Sequence, residues 1–156
     1  MIKFPHQKGI TVVEILVVIA IMSIILRIVL PQFSKSKENQ VLKNGAEDVV
    51  AVLDKARSQT LASFNSSEYG VHFQSDKVII FKGKVFSSGA SDNENISIVT
   101  PATISNVTLG GVSGTTGDMY FNRLYGAPST TGTITVSTSS YSKTVTISAT
   151  GTASMN

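Results

Sequence analysis

The sequence predicts an α+β protein in which a long N-terminal helix, half apolar and half amphipathic, packs on a small antiparallel β-sheet head. Three observations point there: an apolar run near the N-terminus, a following stretch with apolar residues every three or four positions, and a remainder of short alternating segments. With 156 residues the chain has room for one domain and an appended element. Hydrophobic residues make up 42% of it and charged residues only 15%, so the apolar content belongs in a membrane or in an unusually uncharged fold.

The apolar run is Ile10 to Leu30, 21 residues whose only ionisable side chains are Glu14 and Arg27. As a helix it spans about 30 Å, the thickness of a bilayer's hydrocarbon core. A buried helix of a soluble protein would need a large surrounding core, which the remaining residues can hardly supply. Lys3 and Lys8 precede the run and favour a cytoplasmic N-terminus. The residues after it are Pro31, Gln32 and Phe33, with no small-residue cleavage site, so the run is expected to stay on the mature protein. The small residue that marks a processing point is Gly9, ahead of the run.

Glu14 is the most informative residue. A carboxylate in hydrocarbon costs about 2.5 kcal/mol or more, so it needs a partner or an interfacial position. Cleavage after Gly9 would create an amine at Ile10, four residues and one helical turn away. In a helix bundle the same carboxylate can pair with the amine of a neighbouring subunit and set their register.

Lys8-Gly9-Ile10-Thr11-Val12-Val13-Glu14, followed by the run and Pro31, resembles the class III signal of type IV pilins and type II secretion pseudopilins. The resemblance implies cleavage after Gly9 by a prepilin peptidase, methylation of Ile10, and assembly through Glu14 and Pro31. It also implies other pilin subunits and an inner-membrane assembly platform as partners. A single-pass inner-membrane location follows, with the head in the periplasm or outside, and later a place in a pilus or pseudopilus. Ile10 departs from the commonest phenylalanine at the first mature position. Arg27 departs from a small apolar residue, but lies close enough to Leu30 for its guanidinium to reach the outer interface. The expected organisation is a leader at 1–9, a transmembrane and filament-core helix at 10–33, and a soluble pilin head at 34–156.

In the head, Leu42, Ala46, Val49, Leu53, Ala56, Thr60 and Phe64 recur at helical spacing, predicting an amphipathic helix over 34–64. Pro31 is expected to bend the joined helix rather than end it, and Asn65, Ser66 and Ser67 to stop it. The β-rich part spans 69–151. Tyr69–Phe73 and Lys77–Phe81 read as a hairpin; Ile96–Thr100, Val107–Leu109 and Met119–Phe121 are short strand candidates; Ile134, Val136, Val145 and Ile147 form a C-terminal hairpin with one buried face. The order helix then strands, with Ala56-Arg57-Ser58 late in the helix, Phe121 to Gly126 and then Gly151, is similar to the GspH/FimT group of minor pilins and pseudopilins. That implies a structural minor subunit and no enzyme.

Other chemistries have little to stand on. The chain has no cysteine and only His6 and His72, which removes thiol chemistry and leaves few ligands, so no catalytic, cofactor or metal site is assigned. Gly110, Gly111, Gly114 and Gly117 lack the Lys-Ser or Lys-Thr of a phosphate loop and read as a flexible turn. Asp92 to Asn95 lack the spacing of a calcium loop and read as solvated. His72 with Asp118 and a serine would make a triad only in outline, so a structural histidine is expected. The alternative function is a DNA-binding minor pilin for natural transformation. It is disfavoured because the +3 charge falls to +1 without Lys3 and Lys8, and no Lys or Arg follows Lys143.

Overall fold

The computed structural model describes residues 9–156; the leader residues 1–8, including Lys3 and Lys8, lie outside the described residues. Among the described residues one α-helix, α1 (Val12–Leu61), precedes nine strands. The described chain forms two compact units, one ending at Ser36 and one comprising Lys37–Asn156. The helix continues through Pro31, whose missing N–H leaves the carbonyl of Arg27, four residues back, without its helical donor.

Within the second unit the strands make two antiparallel sheets. The first contains β1 (Tyr69–Phe73), β2 (Lys77–Lys82), β3 (Glu94–Ser97) and β6 (Gly117–Tyr120), in the order β3-β2-β1-β6. The second contains β4 (Thr103–Leu109), β5 (Val112–Gly114), β7 (Gly132–Ser137), β8 (Ser142–Ile147) and β9 (Ala153–Met155), in the order β5-β4-β7-β8-β9. Both expected hairpins form: Val71 lies opposite Ile80, and Ile134 opposite Val145. Alternation then decides which side chains meet the helix. Val71 and Phe73 of β1, Val78 and Ile80 of β2, and Ile134, Val136, Val145 and Ile147 of the C-terminal hairpin join Leu42, Ala46, Val49, Leu53 and Ala56 in one buried core. Close approach is possible at Gly45, where a Cβ would already touch Ile98, Ala102 and Val136 at 3.4–3.6 Å.

Four local readings are corrected. The helix ends at Leu61 and not at Phe64, because Ser63, Asn65 and Ser66 all take left-handed backbone and break the period. Phe64 therefore leaves the buried stripe and is 54% exposed. The strand expected at Ile96–Thr100 lies earlier, at Glu94–Ser97, where it pairs with β2. The glycine-rich stretch is an ordered hairpin rather than a flexible turn: Leu109 faces Val112 across Gly110 and Gly111. Both of those glycines have positive φ, as a tight two-residue turn requires.

Candidate assembly helix and head clamp

Gly9 and Ile10 precede the helix, are exposed, and have nothing within 4 Å of the position a Cβ on Gly9 would take. Thr11 caps α1. Its hydroxyl accepts from the Glu14 N–H at 3.3 Å, and its carbonyl accepts from Glu14 and Ile15 at 3.1 and 3.3 Å. Glu14 is thus the third helical residue, where a carboxylate complements the positive end of the helix. The sequence carries the signal for this cap, Thr11-x-x-Glu14 at the start of the apolar run, which the reading of Glu14 as a membrane charge does not include.

From Ile10 to Leu30 every residue is exposed, with large side chains such as Leu16 at 62% and Ile24 at 62%. Beyond the capping Thr11, the run's other hydroxyl, on Ser23, donates to the Ile19 carbonyl at 2.8 Å and so needs no water. Glu14 lies in a shallow groove with Ile10, Ile15, Val18 and Ile19. Among the described residues, neither Glu14 nor Arg27 has an ion pair. The run offers a long apolar surface with one carboxylate near its start and one guanidinium near its end.

The head is held by a second set of residues. Arg57 donates from Nε to the Gly126 carbonyl and from Nη2 to the Thr150 carbonyl, both at 3.1 Å. It ties the late helix to two turns that are 69 and 93 residues away in sequence. Gly151 closes the clamp: with φ +82°, it brings its backbone so near that a Cβ would lie 2.1 Å from the Gly126 carbonyl oxygen. This gives a physical reason for Arg57, Gly126 and Gly151 to occur together. Phe121 is fully buried and donates its N–H to the Tyr69 carbonyl at 3.0 Å. Thr60, read from spacing as part of an apolar stripe, is a polar joint. Its hydroxyl donates to Ala56 at 2.9 Å and accepts from the Tyr69 N–H at 3.0 Å.

His72 and Asp118 do meet, as opposite residues of β1 and β6 whose side chains are in hydrogen-bond contact through Nδ1 and Oδ1. The His72 ring stacks on Phe86 at a centroid distance of 3.9 Å, and its Nε2 faces the Gln74 amide at 3.0 Å. Both ring nitrogens are thus occupied and no serine hydroxyl is among their partners in the described residues, so no triad is assembled there. Glu94 bonds Lys55, and Asn93 bonds the Ser87 carbonyl, which ties the 92–95 segment to its surroundings. Among the described residues, no cluster of three or more potential metal ligands occurs.

The family model for type II transport protein GspH matches residues 45–151, well over half of the chain. The chain belongs to the GspH family. A second model, for the prokaryotic N-terminal methylation motif, matches residues 4–29 and so covers Gly9, Ile10, Glu14 and most of the apolar run. No curated protein and no solved structure matches the chain. Together, the two models make this GspH-type chain a type IV pilin-like pseudopilin with a membrane-anchoring N-terminal helix, in a family of structural subunits. The Arg57 clamp and the Phe121 to Gly126 turn fall inside the first match.

Proposed function

We propose that this GspH-type protein is a minor subunit of a type IV pilus or type II secretion pseudopilus. A prepilin peptidase cuts it between Gly9 and Ile10 and methylates the new amine. Residues 1–9 are then the leader, 10–33 the helix that anchors and later packs in the filament, and 34–156 the head on the periplasmic side of the inner membrane. Other pilin subunits and the assembly platform are its partners. Glu14 pairs with the Ile10 amine of the same or an adjacent subunit, and Pro31 adapts the helix where it leaves the apolar layer.

The observation that carries this reading is the wholly exposed apolar run with a carboxylate in its first turn, lying within a methylation motif. Such a surface needs lipid or other helices to cover it. The test is intact-mass measurement of membrane-purified protein, together with the fraction recovered in sheared filaments for wild type and Glu14→Gln. Glutamine retains the third-position preference of a capped helix, so the substitution isolates the charge. Mature protein should begin at a methylated Ile10, and Glu14→Gln should be cleaved and inserted normally. Its incorporation should fall a hundredfold or more, because a buried charge without its partner costs about 3–5 kcal/mol. A mature species beginning at Met1, or wild-type incorporation of Glu14→Gln, would refute the reading of processing or of Glu14.

A further inference from the structure

We infer that the helix carries a site for one anionic phospholipid where it leaves the apolar run, with an acyl chain along Ile28, Val29 and Phe33 and the phosphate at Ser36, between Lys35 and Lys37. This rests on the reading of the run as a membrane anchor. Ile28, Val29, Gln32, Phe33 and Ser36 line a shallow groove of about 430 Å³ on α1, and the Phe33 ring beside it is 64% exposed. The groove is apolar apart from the Gln32 amide and the Ser36 hydroxyl. At 100° per residue, Lys35 and Lys37 project on either side of Ser36. An apolar groove that ends in a hydroxyl flanked by two ammonium groups fits a ligand with a hydrocarbon body and a phosphate head, which lysine meets as a point charge.

The height is right for such a ligand. Ser36 is six residues beyond Leu30, about 9 Å along the helix, and the headgroup layer on each side of a bilayer is about 5–8 Å thick. Helical side chains slope toward the N-terminus, so the ammonium groups of Lys35 and Lys37 reach back into that layer. Nor does the chain itself answer their charge. From Pro31 to Lys37 there is no carboxylate, and among the described residues neither lysine has an ion pair. The next carboxylate, Glu38, is engaged elsewhere: its Oε1 accepts from the Ser139 hydroxyl at 3.3 Å, and its Oε2 is buried. Orientation does not account for the lysines either, because cations at the far end of the run oppose the orientation that Lys3 and Lys8 favour. An acidic protein surface or free phosphate would neutralise them but leave the groove uncovered, whereas a phospholipid does both.

The chain has no tryptophan, so Phe33→Trp places a single indole in the groove. Full-length Phe33→Trp is reconstituted in phosphatidylcholine vesicles that contain a small fraction of brominated phosphatidylglycerol or, separately, the same fraction of brominated phosphatidylcholine. Both should quench the indole, with the anionic lipid preferred at least about fivefold at about 0.1 M salt. Lys35→Gln combined with Lys37→Gln should abolish the preference, and glutamine keeps the helix propensity of lysine. Arg27→Gln removes a cation from the opposite face of the helix and should leave the preference in place. Inorganic phosphate at matched ionic strength should not displace the lipid. Equal quenching by the two lipids, a preference that survives the double lysine variant, an equal loss with Arg27→Gln, or displacement by phosphate would overturn the site and leave the anchor reading standing. Quenching by neither lipid would overturn both.

Discussion

The apolar residues of the run and those of the head have opposite fates. Between Ile10 and Leu30 they surround the helix on all sides and are exposed; between Leu42 and Ala56 most of them, Leu42, Ala46, Val49, Val52, Leu53 and Ala56, form one stripe, and that stripe is buried. The first pattern can be satisfied only by something outside the chain, whereas the second is completed by the chain's own sheets. The stability of the head and the covering of the run therefore rest on separate residues, and substitutions should divide accordingly.

The strongest test is Gly132→Val. A Cβ at Gly132 would lie 1.9 Å from the Thr108 carbonyl oxygen across the β4–β7 pair, where backbone cannot give way cheaply. The head should lose its cooperative thermal transition, a loss above about 4 kcal/mol. Membrane insertion, read by resistance to alkaline extraction, should be unchanged; a head that melts normally would break the comparison.

A matched pair sharpens it. Leu53→Ala empties a fully buried site and should destabilise the head by about 2–5 kcal/mol, followed by circular dichroism in detergent. Leu16→Ala removes a side chain that is 62% exposed and should leave the same transition in place. Equal shifts would mean that the run contributes to the head's stability after all.

Arg57→Ala should have the smallest effect, about 1–3 kcal/mol, since it removes two charge-assisted hydrogen bonds at a partly exposed site. Its signature is local: amide hydrogen exchange at Gly126 and Gly151 should quicken while that of Val71 and Ile80 stays slow. Uniform acceleration would show that the clamp belongs to the core.

Long periodic or alternating segments were legible in the sequence. The run, the amphipathic stripe and both main hairpins are specified by local pattern, and the burial of Leu42 to Ala56 follows from spacing alone. β5 and β9 were not legible because Val112–Gly114 and Ala153–Met155 are three-residue edge strands of small and polar residues, formed only because a neighbour offers a free edge. Phe64 was misread because periodicity carries no sign of the left-handed residues that end the helix. Of the candidate site, Glu14 and Pro31 stand out by residue type against an apolar background and Gly9 and Ile10 by their place at its start, whereas the Gly126 and Thr150 partners of Arg57 and the Asp118 partner of His72 are set by tertiary pairing across 46 to 93 residues.

The Arg57 clamp also imposes an order of events on synthesis. Its second partner, Thr150, is made 93 residues after it, and the core strands β7 and β8 arrive only shortly before. At ordinary elongation rates of about 5–20 residues per second, the stripe on the helix waits roughly 5–20 s for the last of its cover. Until then only the first sheet, whose last strand ends at Tyr120, is there to pack on it. A nascent chain stalled before Gly132 lacks Ile134, Val136, Val145 and Ile147 of the core, and so leaves part of the stripe exposed along with the whole of the run.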